Sequence, residues 1–356
     1  MHTRWLAFLL GLLLSPVSAL LLVAAVALRP SLSGWGYVLG LALASVGLLT
    51  RPWRQRRGLT RAGVGLLLLV VGTRLLLVDG GSSLRTPRLP DGGSRLINRM
   101  VDEREGVLLA AHALLLSGGL NRTEAREFIP ALEAAYARLA RAEGQVATPA
   151  VATYLGLQSP RAFDAVVIAP KAQAPETAVV LLHGYAGNFA VYCWQLARAA
   201  EAISALTVCP SVGPRGDWWS PQGEETLKHT LAWLAGRGVR RVYLAGLSNG
   251  GVGVGVLSER VSHPGIELGG LVYLSGIWPK ASAPRVPVLI VQGRHDSMMT
   301  ARTVRAFARQ VGPRATYLEV DSGHFAFLDR REECERAIAS WLREREGRGT
   351  GAAGGR

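Results

Sequence analysis

The segment from Trp5 to Leu28 contains no charged residue and consists mainly of leucine, alanine and valine. Because an α-helix rises about 1.5 Å per residue, a helix of this length crosses the hydrocarbon core of a bilayer, which is about 30 Å thick. A cleaved signal peptide is the alternative interpretation. The run is longer than the apolar core of a usual signal peptide, and no small-residue cleavage site lies in a polar flank. We therefore expect a retained membrane span.

Two further apolar runs follow, at residues 35–50 and 62–78, and both are near the short limit for a membrane span. Arg74 interrupts the later run near its end, where a long side chain can extend to the lipid headgroups. Residues 1–78 are therefore predicted to form a multi-pass transmembrane anchor. Its predicted spans are residues 5–28, 35–50 and 62–78.

The chain has a formal net charge of +14, and most of this charge lies near the N-terminal end. Residues 1–90 contain ten arginines, no lysine and a single acidic residue, Asp79. A basic excess is typical of proteins that bind nucleic acid or an acidic membrane surface. Since the excess coincides with the predicted spans, we expect a membrane and no nucleic-acid partner.

The loop between the second and third predicted spans, residues 51–61, carries five arginines and no acidic residue. Positively charged loops stay in the cytoplasm. With three spans, the chain after residue 78 is then predicted to lie on the outer, extracytoplasmic face of the membrane. Arg85 and Arg88 on that side count against this orientation, and a run that does not span would change it.

The segment 79–148 separates the anchor from the rest of the chain. Residues 79–93 are rich in Gly, Ser, Pro and Asp and are predicted to be a linker. Residues 94–117 place apolar residues at helical spacing, and the capping-box pattern of Asn121 and Glu124 predicts the start of a second helix. This helical pair carries no motif for chemistry, and we expect it to pack on the following domain or to lie near the bilayer.

From Pro149 onward, short β-branched runs alternate with helical segments, and this pattern predicts an α/β fold with a mainly parallel sheet flanked by helices. The predicted strands are residues 163–168, 178–182, 206–209, 241–245, 268–274, 286–291 and 316–320. Such sheets bind ligands at the carboxyl ends of their strands. Residues that carry chemistry are therefore expected in the loops that follow the strands.

A Gly-x-Ser-x-Gly pattern at residues 246–250 lies between a predicted strand and a predicted helix. In this context Gly246 and Gly250 permit a sharp turn, and Ser248 is held with its hydroxyl above the sheet at the start of the helix. A glycine-rich turn with a capping serine is the alternative interpretation. The pattern therefore requires support from other strand ends.

Three other strand ends supply that support. His183 and Gly184 follow the strand 178–182, Asp296 follows the strand 286–291, and His324 follows the strand 316–320. The chain order Ser248, Asp296, His324 is that of a nucleophile, an acid and a base at one edge of a sheet. The sequence therefore predicts a catalytic triad at this edge.

With these motifs in this order, residues 149–346 resemble the α/β-hydrolase superfamily, and most closely its compact carboxylesterase and thioesterase group. The stretch 275–286 is too short for the helical lid that many lipases insert there. The resemblance implies a lidless, membrane-anchored serine hydrolase that cleaves carboxylic esters or thioesters through an acyl-enzyme intermediate. It also implies a small-molecule or lipid-like ester as substrate, and neither a cofactor nor a metal ion.

The resemblance implies a role for each residue of the site. Ser248 is the nucleophile, His324 is the base that takes its proton, and Asp296 orients the imidazole ring of His324. The backbone N–H groups of Tyr185 and Asn249 form the expected oxyanion hole, which binds the negative oxygen of the tetrahedral intermediate.

Several alternatives stay open at this point. Asp321 lies three residues before His324 and is the alternative acid, although it is on the same turn as the base. His183 is expected to be structural, and His295 is expected to face away from the triad. A peptidase of the same fold and a catalytically silent membrane adaptor are the alternative functions. No gating domain or acidic cluster for a peptide amine is evident, and an adaptor has no need of a triad.

Four apolar side chains follow strand ends at the same edge and are candidates for the wall of an apolar substrate pocket: Trp218, Trp219, Trp278 and Met298. The alternative is that they pack the loops onto the sheet. Elsewhere, Cys193 and Cys209 are candidates for a disulfide if the domain faces an oxidising compartment. The glycine-rich residues 347–356 are predicted to be a disordered tail.

Overall fold

The computed structural model describes residues 2–51, 57–172 and 174–353, and the chain divides into two compact units. Unit 1 comprises Met1–Asp79 and Arg99–Leu116, and unit 2 comprises Gly80–Asn98 and Ser117–Arg356. These boundaries differ from the predicted organisation. The expected helical pair is divided, because its first helix belongs to unit 1 and its second helix belongs to unit 2.

Unit 1 is helical and consists of α1 (His2–Leu28), α2 (Leu32–Leu49), α3 (Arg57–Leu77) and α4 (Glu103–Leu116). Within the described residues, three of its helices are long and apolar enough to cross a membrane: Thr3–Leu28, Leu32–Leu49 and Gly58–Leu77. The three predicted spans coincide with these helices. Helices α2 and α3 pack closely, since an added Cβ at Gly63 would lie 2.6 Å from the carbonyl oxygen of Gly40.

Two charged side chains inside unit 1, those of Arg74 and Glu105, form hydrogen bonds within the unit. The side chain of Arg74 is buried and donates hydrogen bonds to the carbonyl oxygen of Arg99 (2.9 Å) and to Ser33 Oγ (3.1 Å). Two of the guanidinium N–H groups thus have acceptors within the unit. Similarly, Glu105 accepts hydrogen bonds from the backbone N–H (2.8 Å) and the hydroxyl of Ser31.

Unit 2 is built on a mixed sheet. Its strands are β1 (Leu84–Arg85), β2 (Arg88–Leu89), β3 (Phe163–Ile168), β4 (Thr177–Leu182), β5 (Leu206–Pro210), β6 (Arg241–Leu247), β7 (Glu267–Leu274), β8 (Val288–Gly293) and β9 (Ala315–Val320). Within the described residues the strand order is β1-β3-β5-β4-β6-β7-β8-β9, and β2 also pairs with β3. The strands from β5 to β9 in this order are parallel, whereas β1, β2 and β3 pair antiparallel. The predicted α/β fold with a mainly parallel sheet is confirmed.

The predicted linker contains two of these strands. β1 and β2 lie in residues 79–93 and pair with β3 at one edge of the sheet. Each has only two residues, which is too short for the alternation of apolar and polar side chains that identifies a strand in a sequence. The prediction of a linker over this segment is therefore wrong.

Eight α-helices in the described part of unit 2 accompany the sheet: α5 (Arg122–Glu143), α6 (Ala150–Tyr154), α7 (Ala190–Ala200), α8 (Pro221–Ala235), α9 (Asn249–Leu257), α10 (Ala301–Val311), α11 (Ala326–Asp329) and α12 (Arg331–Ala353). Short 3₁₀ segments span Leu96–Arg99, Glu201–Ile203 and Gly312–Arg314. Side chains set some boundaries: the hydroxyl of Ser220 accepts the N–H of Gly223 at the start of α8, where Pro221 is the first helical residue.

Residues 347–353 are helical in the structure, whereas residues 347–356 were predicted to be a disordered tail. Helix α12 runs through Ala353, and residues 354–356 lie outside the described part of the chain. No proline follows Arg331 in the sequence, so no residue removes a backbone donor and forces the helix to end. Each glycine weakens a helix by only about 1 kcal/mol relative to alanine.

The core of unit 2 lies on the two faces of the sheet. Residues 178–182 of β4 and 242–246 of β6 are buried throughout, as expected for central parallel strands covered on both faces. Phe307 of α10 packs edge-to-face on Tyr273 of β7. This rigid sheet positions the loops at its carboxyl edge.

Helix α5 is attached to the sheet at its C-terminal end by Glu143. The carboxylate accepts hydrogen bonds from the hydroxyls of Ser82 (3.1 Å) and Ser83 (2.6 Å) and from the backbone N–H groups of Ser83 (2.8 Å) and Leu84 (3.1 Å). Burial raises the pKa of Glu143, but the hydrogen bonds from Ser83 and Leu84 outweigh it and hold the pKa below its ordinary value of 4.5.

Replacing Glu143 by Gln is expected to lower the free energy of unfolding at pH 7 by about 1–3 kcal/mol, because hydrogen bonds to a charged acceptor are lost. A folded-state pKa below the unfolded value means that the carboxylate stabilises the fold above about pH 4.5, and that this stabilisation declines as the pH falls through the folded-state pKa. Denaturant unfolding of the full chain in detergent at pH 7 and pH 4 should show the difference shrinking at the lower pH. The exposed Glu176→Gln serves as control, and an equal loss at both pH values would contradict the assignment.

Candidate active site

Ser248 occupies a sharp turn between β6 and α9. Its backbone has φ +52° and ψ −117°, a combination that a residue with a side chain rarely adopts. The flanking glycines are required by close backbone contacts. An added Cβ at Gly250 would lie 1.9 Å from the carbonyl oxygen of Leu182, and one at Gly246 would lie 2.3 Å from that of Gly250. The turn thus places the Ser248 hydroxyl at the carboxyl edge of the sheet.

Three loops bring Ser248, His324 and Asp296 into one chain of hydrogen bonds. His324 Nε2 is 3.0 Å from Ser248 Oγ, and His324 Nδ1 is 3.0 Å from both carboxylate oxygens of Asp296. The side chains of His324 and Asp296 are buried. Because an ionised carboxylate only accepts hydrogen bonds, the proton of the ring lies on Nδ1 and Nε2 is free to accept the proton of Ser248.

The Asp296 carboxylate is held in its ionised form. Its Oδ1 accepts the backbone N–H groups of Met298 and Met299, both at 2.8 Å, and its Oδ2 accepts the side-chain amide of Gln292 at 2.8 Å. Burial raises the pKa of Asp296, but the bond from His324 and these further bonds outweigh it, so the pKa lies below its ordinary value of 3.8. The carboxylate is therefore ionised at neutral pH.

Asp321, the alternative acid, lies elsewhere. Its Oδ1 is 3.0 Å from Nε2 of His295, and both side chains are about two-thirds exposed, at 70% and 65%. The described contacts of His324 Nδ1 are with Asp296. The structure thus brings Asp296 to His324 and leaves Asp321 with His295 at the surface.

His183 supports the turn after β4. The ring is buried, its Nε2 accepts the backbone N–H of Val212 at 3.2 Å, and its Nδ1 donates to the carbonyl oxygen of Gly184 at 2.8 Å. Burial lowers the pKa of His183 to about 4. At neutral pH the ring is thus uncharged, with its proton on Nδ1, and it links the turn to the loop that follows β5.

The two predicted oxyanion donors lie on backbone next to Ser248. Asn249 is the first residue of α9, where backbone N–H groups have no acceptor within the helix. Tyr185 follows Gly184, and an added Cβ on Gly184 would lie 3.1 Å from Cβ of Ser248. The Asn249 side chain donates to the carbonyl oxygen of Arg215 (2.9 Å), so it has a separate partner. The role of the two N–H groups stays a prediction.

The structure separates the four candidate pocket residues. Trp218 is fully buried, donates from Nε1 to the carbonyl oxygen of His183 (2.9 Å) and packs edge-to-face on that ring. It is a core residue, and its prediction as a pocket wall is wrong because the indole finds its acceptor inside the fold. Trp219, Trp278 and Met298 are 41%, 38% and 48% exposed and remain candidates.

Glu124 is a residue of the site that the sequence did not reveal. Its backbone N–H donates to Oδ1 of Asn121 (2.8 Å), as the capping box predicts. Its carboxylate, however, accepts hydrogen bonds from the backbone N–H and hydroxyl of Ser297 and from the backbone N–H of His324. Helix α5, which carries no motif for chemistry in the sequence, thus contributes a side chain to the loops of Asp296 and His324. The only sequence signal was a glutamate that the capping pattern already explained.

Cys193 of α7 and Cys209 of β5 form a disulfide with their Cα atoms 6.1 Å apart, so the candidate pairing is present in the structure. Cys334 is a free, buried thiol, and burial raises its pKa to about 12. Across the described residues, no group of three or more His, Cys, Asp or Glu side chains has the arrangement of a metal site.

No protein-family model matches the chain, and no curated protein matches it. Among solved structures, it is similar to an alpha-beta serine hydrolase homologue from Coxiella burnetii (19% identity, TM-score 0.40, covering 51% of this chain and 92% of that chain). It is also similar to Est1E from Butyrivibrio proteoclasticus with ferulic acid bound (17%, TM-score 0.44, 52% and 96%). A third is a putative aryl esterase from Burkholderia cenocepacia (15%, TM-score 0.42, 53% and 98%).

The fold follows from the topology of the chain itself. A mainly parallel sheet carries Ser248 on the tight turn between a central strand and a helix, and Asp296 and His324 follow later strands in that order. Unit 2 therefore has an α/β-hydrolase fold. Three helices that are apolar enough to anchor the chain in a membrane precede this fold in the sequence.

Proposed function

We propose that this protein is a membrane-anchored serine hydrolase that cleaves carboxylic esters or thioesters through an acyl-enzyme intermediate. The observation that carries the proposal is the hydrogen-bonded chain from Ser248 through His324 to Asp296, with a distance of 3.0 Å at each step. A serine hydroxyl is a weak nucleophile at neutral pH and requires such a base. The ionised, buried Asp296 supports the same assignment, since it stabilises the imidazolium that forms when His324 takes the proton.

The reaction would proceed in two halves. As Ser248 Oγ attacks the carbonyl carbon, His324 Nε2 takes its proton, and the resulting oxyanion is bound by the N–H groups of Asn249 and Tyr185. Collapse of the tetrahedral intermediate breaks the bond to the alcohol or thiol, which leaves with the proton from His324. Water then attacks the acyl-serine with His324 as base, which releases the carboxylic acid and restores Ser248. Loss of one oxyanion donor typically costs about 2.7–4 kcal/mol of transition-state stabilisation.

Exposed apolar side chains at the carboxyl edge of the sheet favour an ester with an apolar acyl or alcohol group. Tyr185, Trp219, Trp278 and Met298 are each more than a third exposed. They follow four different strands, β4, β5, β7 and β8, so all of them lie on loops at the edge that carries Ser248. Aromatic rings offer broad apolar contact together with a polar end. We therefore propose a small-molecule or lipid-like ester as substrate.

We further propose that unit 2 lies on the extracytoplasmic side of the membrane. Two independent observations support this orientation. The segment 51–61 carries five arginines and no acid, which favours a cytoplasmic position for that segment. The disulfide between Cys193 and Cys209 is of a kind that persists in oxidising compartments outside the cytoplasm.

A charged fluorophosphonate probe that does not cross membranes tests mechanism and orientation together. We expect it to label the protein equally in intact and in permeabilised cells, with the modification located on the peptide that contains Ser248 by mass spectrometry. Heat-denatured protein is the control and should stay unlabelled, because the reaction needs the folded triad. Absence of label on the folded protein would contradict the hydrolase proposal, and labelling only after permeabilisation would contradict the orientation.

A further inference from the structure

We propose that Glu124 is a positioning residue for the catalytic centre, because its carboxylate joins the loop that carries Asp296 to the loop that carries His324. The inference rests on the proposed function, since it assigns Glu124 a role in the geometry of that same triad. Glu124 is not a catalytic residue in this scheme. It acts on the reaction through the main chain of the two loops.

One carboxylate binds both loops. Glu124 Oε1 accepts the backbone N–H groups of Ser297 and His324, each at 3.1 Å. Glu124 Oε2 accepts the hydroxyl of Ser297 at 2.6 Å. Ser297 directly follows Asp296 in the chain. Ser297, which follows Asp296, and His324 are therefore held by a common acceptor. This link is separate from the hydrogen bond between the side chains of Asp296 and His324.

The fit between Glu124 and the His324 loop is close. The side chain of Glu124 is buried, with 6% of its surface exposed. An added Cβ at Gly323 would lie 2.5 Å from Cγ and 2.6 Å from Oε1 of Glu124. The absence of a side chain at Gly323 is what allows the carboxylate to reach the backbone of His324.

Helix α5 presents this carboxylate from its first turn. Asn121 caps the helix by accepting the N–H of Glu124, and the N-terminal end of a helix stabilises a negative charge. The helix is also held by other contacts. The ring of Phe128 stacks on that of Phe325, with centroids 3.6 Å apart, and Phe128 is buried. Removal of the carboxylate alone therefore leaves α5 with a separate docking contact.

The contacts of Glu124 explain how two loops from separate strands keep the imidazole of His324 within hydrogen-bonding distance of Ser248. Asp296 follows β8 and His324 follows β9, and the ring must be correctly placed for both its partners at once. Small displacements of reacting groups reduce rates steeply, by about 100-fold for a misplacement of about 1 Å. A buried acceptor common to both loops restrains their relative movement.

The test uses the full chain in detergent, with hydrolysis of a short-chain nitrophenyl ester and the rate of fluorophosphonate labelling as two readouts. Glu124→Ala is expected to lower kcat and the labelling rate by about 10- to 100-fold while KM changes little, because the loops are misplaced but substrate contacts are retained. Glu124→Asp keeps the charge, but its shorter side chain does not reach both loops, and a loss of similar size is expected. Glu124→Gln keeps an oxygen for the two N–H groups and should restore most of the rate.

Glu127→Ala is the matched control. Glu127 lies on the same helix and pairs with Arg330 at 3.6 Å on the surface, so its removal should leave both rates unchanged. If Glu124→Ala and Glu124→Asp keep both rates and only melt at a lower temperature, the inference about Glu124 is overturned. Labelling of the wild type would still support the proposed hydrolase function in that case. If Glu124→Ala does not fold, Glu124→Asp and Glu124→Gln decide the question. A wild type that is neither labelled nor active would overturn the proposed function, and the role of Glu124 with it.

Discussion

Replacing Ser248 by Ala is expected to lower kcat for ester hydrolysis by at least about 10⁴-fold, because no other group at the turn supplies an oxygen nucleophile to the carbonyl carbon. The substitution leaves the fold largely intact, since Ala needs no more space than Ser at this position. Substrate contacts are retained, so KM should change far less than kcat. Steady-state hydrolysis of a nitrophenyl ester by the detergent-solubilised full chain measures both constants.

The matched control for this prediction is Ser258→Ala. Ser258 directly follows α9, the helix that Ser248 precedes, and its backbone N–H donates to the carbonyl oxygen of Val254 whichever side chain it carries. The described contacts of Ser258 do not include His324. The Ser258→Ala variant should therefore hydrolyse the ester at the rate of the unsubstituted protein. A Ser248→Ala protein that keeps more than about one per cent of the activity is incompatible with an acyl-enzyme on this serine.

Replacing Asp296 by Asn is expected to lower kcat by about 10⁴-fold, because the amide no longer holds the imidazole in the tautomer that accepts the serine proton. The site makes this substitution especially unfavourable. Asp296 accepts hydrogen bonds from two backbone N–H groups, from Gln292 and from His324, whereas an amide offers one oxygen and adds an NH₂ group among these donors.

Asp321→Asn is the companion experiment, because it separates the two candidate acids. Asp321 pairs with His295 on the surface, and its loss should leave kcat close to that of the unsubstituted protein. If Asp321→Asn lowered kcat more than Asp296→Asn does, the assignment of the acid would be reversed. Stopped hydrolysis assays on both variants at pH 7, with labelling rates measured in parallel, make the comparison direct.

Much of the sheet in unit 2 was predictable because its central strands are continuous apolar runs bounded by turn residues. The strand 163–168 agrees with the sequence pattern residue for residue. The turn at Ser248 was equally predictable from the sequence, because Gly246 and Gly250 occupy positions where a Cβ would collide with the backbone. These features are local, and local patterns suffice to identify them.

The features that the sequence did not reveal depend on contacts between distant parts of the chain. Trp218 has the same loop position as Trp219, yet one indole is buried against His183 and the other is exposed. Glu124 lies 173 and 200 residues from its partners Ser297 and His324. A glutamate at the start of a helix fits the capping pattern equally well whether its carboxylate turns back or reaches another loop.

The sequence by itself determined the class of the fold, the presence of three apolar helices and the order of Ser248, Asp296 and His324 along the chain. Each of these follows from composition, periodicity or the steric demands of one turn, which act between near neighbours. The tertiary structure decided which carboxylate meets His324, that Trp218 belongs to the core, and that Glu124 of α5 binds the loops of Asp296 and His324. These outcomes depend on which groups share one buried volume after folding, because burial makes each polar group find a partner wherever in the chain it lies.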